Sequence, residues 1–169
     1  MAHSTPTDSR EQTLAEMLAE LATGGSPLAV YDREGTFRST EPTTTTEEYD
    51  RQCTRLAEDP GFTSNEGECY RNAQRAARGC VELQYVEGVA LPAGLPVPVR
   101  HAWVEVDETV LELDWGESVV PDAEAAYLGV EYDTAAVEAV RDTGDTTASP
   151  VAATRTPRGQ SGSSHDRHR

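Results

Sequence analysis

The sequence predicts an α+β fold in which helices come first and a small antiparallel sheet follows. Capping-box patterns open apolar segments of helical spacing in the first half of the 169-residue chain. Later, two segments of alternating polarity flank Asp107-Glu108, which predicts a β-hairpin with a two-residue turn. Helices followed by antiparallel strands are typical of the α+β class.

The first helix is predicted from a capping box, Asp8-x-x-Glu11, and from apolar residues that recur at helical spacing. These residues are Leu14, Met17, Leu18 and Leu21. Gly24-Gly25 ends the pattern. The apolar run Leu28–Tyr31 predicts a short strand.

A second helix is predicted after the threonine run 43–46, where Thr44-x-x-Glu47 forms another capping box. Its apolar face holds Tyr49, Cys53 and Leu56, and it ends at Asp59-Pro60-Gly61. At that spacing we interpret Cys53 as a core residue.

A third helix is predicted over Cys69–Arg78, opened by Asn65-x-x-Glu68 and ended by Gly79. Ala73, Ala76 and Ala77 give it a face of small residues, which lets another backbone approach closely.

Three strands are predicted at 81–90, 99–106 and 109–115, and a last helix at 134–141. The intervening segment 91–98 contains three prolines and is interpreted as a loop. We expect 127–130 to form an apolar return against the sheet. We also expect one domain over 9–142, flanked by disordered ends at 1–8 and 143–169, because those ends have little to bury.

The composition is strongly acidic: the net charge is −16, and all 14 basic residues are arginine. This charge argues against a nucleic-acid binder and against binding to anionic membranes. It is typical of a protein kept soluble in concentrated salt. No apolar stretch is long enough for a membrane span, and the polar N-terminus has no signal-peptide core, so we expect a cytoplasmic protein.

The candidate catalytic residues are Cys69 and His101. Cys69 lies in the first turn of its predicted helix, where unpaired backbone N–H groups favour a thiolate, although Glu66 and Glu68 oppose that effect. His101 is the only histidine outside the polar ends of the chain. A cysteine nucleophile needs such an imidazole within hydrogen-bond reach as its base. A buried structural cysteine and a core histidine remain the alternatives.

The hairpin predicts which carboxylates accompany His101. With Asp107-Glu108 as the turn, His101 lies opposite Asp114 and Trp103 lies opposite Glu112, all on one face of the sheet. Asp114 would then orient the imidazole as the third member of a triad does, with Glu112 one step diagonal as the reserve.

These residues resemble the transglutaminase-like fold of papain-type cysteine enzymes. The resemblance is carried by Gly67-Glu68-Cys69, by Tyr85-Val86-Glu87-Gly88, by the segment His101-Ala102-Trp103-Val104-Glu105 and by Asp114. It implies a cysteine-bearing helix packed on the sheet. The sequence departs from the family pattern after Asp114, where Trp115-Gly116 replaces the Pro-Thr that commonly follows this aspartate.

The resemblance further implies a cysteine-dependent acyl-transfer enzyme acting on an amide or ester, with a peptide or protein amide as a candidate substrate. In it Cys69 is the nucleophile, His101 the base and then the acid, and Asp114 the orienting residue. Trp103 and Tyr70 are expected to border the substrate cleft, and no cofactor or metal is expected. A catalytically silent binding module of the same fold is the alternative. A metal site from Cys69, Cys80 and His101 is a further alternative, although its spacing matches no familiar zinc pattern.

Overall fold

In the computed structural model, helices pack on one face of a five-stranded antiparallel sheet. The structure describes residues 5–23, 26–40, 51, 55, 68–80, 82–106, 108–113, 125–133 and 135–138. Within these residues the predicted α+β class is confirmed. The helices are α1 (Ser9–Leu21), α2 (Ala29–Glu34) and α3 (Cys69–Gly79). The strands are β1 (Thr36–Arg38), β2 (Gln84–Leu91), β3 (Val99–Val106), β4 (Thr109–Leu111) and β5 (Ala126–Tyr132).

Helix α1 begins as its capping box predicts. The Asp8 carboxylate accepts hydrogen bonds from the amides of Arg10 and Glu11, each at 2.8 Å. The Glu11 carboxylate reaches back to the Thr7 hydroxyl at 2.8 Å. The two bonds to Asp8 satisfy amides that a helix N-terminus otherwise leaves without partners.

The strand predicted at Leu28–Tyr31 is wrong, because these residues enter the short helix α2. A four-residue apolar run does not distinguish the helical period from the period of a strand. Here the Ser26 hydroxyl accepts the Leu28 amide at 3.2 Å, and the helical turn buries Tyr31 completely. Strand β1, which follows, has no counterpart among the predicted elements.

The sheet has the strand order β1-β5-β2-β3-β4. The predicted bounds of β3 are confirmed, whereas β2 is shifted toward Leu91 and β4 ends at Leu111. The segment 127–130, expected only to return against the sheet, lies in β5 between β1 and β2.

The hairpin register agrees with the sequence-based prediction. Val104 pairs with Leu111, Glu105 with Val110, and Val106 with Thr109. Glu108 in the turn has a positive φ of 63°, as two-residue hairpin turns require. The register therefore puts His101, Trp103, Glu105 and Glu112 on one face of the sheet.

That face is concave. Strands β1 and β3 are three strand spacings apart, about 14 Å in a flat sheet. Nevertheless, Arg38 of β1 and Glu105 of β3 approach to 3.3 Å between Nε and Oε1. The chain just after β1 also meets β4, where the Val110 amide donates to the Ser39 carbonyl at 2.9 Å. The sheet curls around the side chains on this face.

The helices cover the convex face. Helix α3 packs Ala73 and Ala76 in one cluster with Ala102 and Val104 of β3, so its small-residue face meets the sheet as predicted. Helices α1 and α2 pack against β2 and β5 through a second cluster. Its fully buried members are Leu14, Leu18 and Tyr31.

Several sequence-based predictions fall outside the described residues. They include Asp114, the tail 143–169 and the second helix with Cys53, of which only Arg51 and Arg55 are described, both as helical. Of the last predicted helix, 135–138 is described and is helical. Among the described helices, none is long and apolar enough to cross a membrane.

Candidate active site

Cys69 is the first residue of helix α3, and its side chain is 8% exposed. Glu68 occupies the N-cap position without a side-chain hydrogen bond to the helix amides. Its carboxylate instead pairs with Arg71 at 3.2 Å. The first-turn amides of α3 therefore lie beside the Cys69 sulfur without a capping side chain from Glu68.

The N-terminus of α3 lies at the beginning of strand β3. The Arg100 guanidinium carbon lies 5.9 Å from the centre of the Tyr70 ring. Since Tyr70 follows Cys69 and Arg100 precedes His101, this contact brings the two candidate catalytic residues to the same end of the sheet.

His101 connects Cys69 to a carboxylate. Its ring is 1% exposed, and Nε2 lies 2.9 and 3.0 Å from the two oxygens of Glu112. The ring also forms a hydrogen bond with the Cys69 side chain. Because Nε2 faces Glu112, Nδ1 is the ring nitrogen suited to the sulfur.

These surroundings favour the protonated imidazole. Burial alone lowers the pKa of His101. The hydrogen bonds with Cys69 and Glu112, together with the negative charge of Glu112, outweigh burial and raise that pKa from 6.5 to about 9. The imidazolium form is thus stabilised at neutral pH.

Glu112 accepts two further hydrogen bonds. The Tyr127 hydroxyl donates at 2.9 Å and the Leu113 amide donates at 2.9 Å. Three polar contacts fix the position of this carboxylate, which is 1% exposed. Tyr127 was not among the predicted site residues, because a tyrosine in an apolar segment carries no signal of a distant hydrogen-bond partner.

The His101 ring packs on Trp103, with centroids 6.1 Å apart and an interplanar angle of 24°. Tyr127 meets the Trp103 ring edge to face at 5.2 Å. The Trp103 indole N–H donates to Glu105 at 2.8 Å. Trp103 has no exposed surface, so the structure places it in the interior and not on a cleft wall that a substrate touches.

Glu105 continues this network to the far side of the concave face. Arg38 lies 3.3 Å from Glu105 and 2.9 Å from Glu131. Burial raises the pKa of Glu105 to about 7, although Arg38 and the hydrogen bond from Trp103 both act to lower it. Arg38 was not among the predicted site residues, since only the curl of the sheet brings β1 near β3.

Two glycines make room for the Trp103 ring. Gly88 and Gly129 are paired across β2 and β5. A Cβ added at Gly88 would lie 2.8 Å from the tip of the indole, and one at Gly129 would lie 2.7 Å from it. The indole therefore rests against bare backbone, which sets the position of the ring beside His101.

Of the residues predicted for the site, the structure brings together Cys69, His101 and the reserve carboxylate Glu112. Tyr70 lies half-buried beside Cys69. The expected orienting residue, Asp114, lies outside the described residues.

The metal alternative does not fit the geometry. Cys69 begins helix α3 and Cys80 directly follows it, which separates them by about 16 Å at 1.5 Å per residue. Cys80 is instead surrounded by Arg55 at 3.0 Å and Glu82 at 2.9 Å. In the described part of the chain, no group of three or more His, Cys, Asp or Glu side chains is arranged to hold a metal ion.

No family model matches the sequence, and no curated protein or solved structure matches it either. The relation to transglutaminase-like enzymes therefore stays a prediction from the motif residues. The function has to be argued from the chemistry of the site.

Proposed function

We propose that this protein is a cysteine-dependent acyl-transfer enzyme of the transglutaminase-like type. Cys69 serves as the nucleophile, His101 as the base and then the acid, and Glu112 as the residue that orients His101. The observation that supports it best is the hydrogen-bonded series from Cys69 through His101 to Glu112. A nucleophile, a base and an orienting carboxylate in that order are the components of a catalytic triad.

Before the first step, His101 holds the Cys69 proton on Nδ1, so that Cys69 is a thiolate beside an imidazolium. In the first step, this thiolate attacks the carbonyl carbon of an amide or ester. The tetrahedral intermediate collapses as the imidazolium donates that proton to the leaving amine or alcohol. A thioester with Cys69 remains. The raised pKa of His101, about 9, suits this acid role because the ring holds its proton at neutral pH.

In the second step, water or an amine attacks the thioester. Neutral His101 accepts a proton from the attacking group, and the Cys69 sulfur leaves as the thiolate. Glu112 keeps Nε2 occupied throughout, so that Nδ1 faces the reacting atoms. The Cys69 amide, at the start of α3, can donate one hydrogen bond to the oxyanion of each intermediate.

The alternative is a binding module that keeps the triad without turnover. The exposure of Cys69 supports it, since 8% leaves only a narrow approach to the sulfur. The two functions differ in whether Cys69 can be acylated by a substrate, which a direct experiment measures.

The experiment compares the rates at which iodoacetamide alkylates Cys69 and Cys80 in the folded full-length protein in concentrated salt. Each rate is measured on the corresponding peptide by mass spectrometry. Cys80 provides an internal control, because burial raises the pKa of its thiol and it lies far from His101. We expect Cys69 to react at least tenfold faster than Cys80 at pH 7. The advantage should collapse in His101→Ala.

Turnover is then tested by mixing the protein with p-nitrophenyl acetate and quenching with acid. An acetyl thioester on Cys69 that forms and decays supports the enzyme. A rapidly alkylated Cys69 that never becomes acetylated supports the binding module instead. Alkylation of Cys69 at the rate of Cys80, unchanged in His101→Ala, would refute an activated thiol.

A further inference from the structure

Arg100 is an exposed cation near Cys69. His101, Glu112 and Trp103 are each at most 1% exposed, so a substrate cannot approach the sulfur through them. Tyr70 is half-buried and Arg100 is exposed. An acyl group that reaches Cys69 from the side of these two residues passes the Arg100 guanidinium.

Arg100 is held in place but keeps hydrogen-bonding capacity. Its guanidinium lies over the Tyr70 ring at 5.9 Å and also interacts with the Tyr31 side chain, and both contacts hold it near the N-terminus of α3. No carboxylate of the described residues lies within ion-pair distance of it. A guanidinium presents five N–H donors in a planar fork that matches a carboxylate.

Tyr70 adds a second donor. Its hydroxyl oxygen is buried and has no hydrogen-bond partner among the described residues. Burial raises the pKa of Tyr70 well above its usual value, so the hydroxyl keeps its proton. Buried hydroxyls usually have partners, and a carboxylate oxygen is a suitable acceptor for this one.

Glu87, the carboxylate whose charge acts on Arg100, does not serve as the anion partner of its guanidinium. Glu87 is completely buried and accepts a hydrogen bond from Tyr85 at 2.6 Å. Its charge acts on Arg100, but Arg100 itself is exposed. On a chain of net charge −16, such a cation is the local feature that attracts an anion.

We infer that Arg100 and the Tyr70 hydroxyl form a subsite for a carboxylate carried by the acyl substrate, next to the carbonyl that Cys69 attacks. This inference rests on the proposed function and narrows its substrate class to acyl compounds with a free carboxylate. Amide substrates that end in a carboxylate, or that carry an acidic side chain near the scissile bond, belong to this class.

The test compares two alkylating reagents of nearly equal size, iodoacetate and iodoacetamide, on Cys69. In both reactions the sulfur displaces iodide and forms a C–S bond, but only iodoacetate carries a carboxylate. We expect the iodoacetate-to-iodoacetamide rate ratio to fall about tenfold in Arg100→Gln, a loss typical of one charge-assisted contact. Arg100→Lys should restore part of the ratio, and Tyr70→Phe should lower it about threefold.

Arg71→Gln is the matched control. Arg71 lies in the same helical turn as Cys69, but its charge is paired with Glu68 at 3.2 Å. If Arg71→Gln lowers the ratio as much as Arg100→Gln, the effect is general electrostatics and the subsite is refuted. Ratios measured in low and high salt separate the two causes, because screening weakens long-range attraction more than direct contact.

Different results would contradict the carboxylate subsite and the proposed enzyme. If iodoacetamide alkylates Cys69 rapidly in a His101-dependent way but the ratio ignores Arg100→Gln, the proposed enzyme stands and the carboxylate subsite is wrong. If neither reagent alkylates Cys69 faster than Cys80, the proposed function is wrong and the inference falls with it. Far-UV circular dichroism of each variant checks that the exposed substitutions leave the fold intact.

Discussion

Replacing Gly129 by alanine should destabilise the protein through the Trp103 ring. Gly129 lies in β5 on the concave face, paired with Gly88 of β2. A Cβ at Gly129 would lie 2.6 Å from Cγ1 of Val86 and 2.7 Å from both Cη2 and Cζ2 of Trp103. Non-bonded carbon atoms prefer about 3.5–4.0 Å, so all three contacts are too close by roughly 1 Å.

The Trp103 ring has little freedom to move away. Its indole N–H is held by Glu105 at 2.8 Å, and Tyr127 packs against it at 5.2 Å. Overpacking in such a core costs about 1–3 kcal/mol. If the indole tilts enough to break the Glu105 hydrogen bond, about 0.5–1.5 kcal/mol is added, which is the usual contribution of one hydrogen bond. We therefore expect Gly129→Ala to lower the unfolding free energy by about 2–4 kcal/mol.

The assay is urea unfolding in concentrated salt, followed by far-UV circular dichroism and tryptophan fluorescence. Gly79→Ala is the matched control, because a Cβ at Gly79 would meet nothing within 4 Å. Gly79 is the last residue of α3, so alanine there should raise stability by up to about 0.5–1 kcal/mol. The same glycine-to-alanine change is thus expected to have opposite signs at the two positions.

The displaced indole should also affect chemistry. Since the His101 ring packs on Trp103, Gly129→Ala should slow alkylation of Cys69 by iodoacetamide, whereas Gly79→Ala should not. A Gly129→Ala protein as stable as the wild type, with unchanged fluorescence and Cys69 reactivity, would refute the view that bare backbone positions the ring.

Three further predictions concern the ionisable groups. Glu112→Gln should slow Cys69 alkylation at pH 7 about tenfold or more, because Glu112 stabilises the His101 imidazolium. Each 1.4 kcal/mol of stabilisation lost lowers the population of the Cys69 thiolate–His101 imidazolium pair about tenfold. A rate equal to that of the wild type contradicts this prediction. The His101 pKa is raised from 6.5 to about 9. The contribution of His101 to the free energy of unfolding is therefore complete below pH 6.5 and is lost as pH rises to 9. Urea unfolding across this pH range should show the free energy of unfolding fall by about 3 kcal/mol, and this fall should be absent in His101→Gln. The Glu105 pKa is raised from 4.5 to about 7, so stability should fall as pH rises through that window, and Glu105→Gln should remove the fall.

The sequence predicts the hairpin part of the site well because that part is local. A two-residue turn and a period of two determine which side chains share a face, and the observed register agrees. Local register alone does not choose between two carboxylates two residues apart. Glu112 reaches the imidazole diagonally, since its side chain is one methylene longer than aspartate, and it is further held by the Tyr127 hydroxyl.

The parts that sequence reasoning missed depend on pairing between distant strands. Tyr127 and Arg38 enter the concave face only because β5 is inserted between β1 and β2 and the sheet then curls. Neither event leaves a periodic signal in a strand of three to seven residues. Helix α2 was missed for a related reason, because burial of Tyr31 against α1, and not local propensity, favours it.

The buried charges on the concave face are better explained by positioning than by stability. Arg38, Glu105, His101 and Glu112 are each at most 7% exposed. Buried ion pairs are often no more stabilising than apolar residues of the same volume, since desolvation offsets their attraction. Here both pairs act on the His101 ring. Glu112 contacts one of its nitrogens directly. Arg38 pairs with Glu105, Glu105 accepts the Trp103 indole N–H, and the His101 ring packs on that indole. An imidazole restrained from its edge and from its face is the arrangement that the proposed proton transfer from the Cys69 thiol requires.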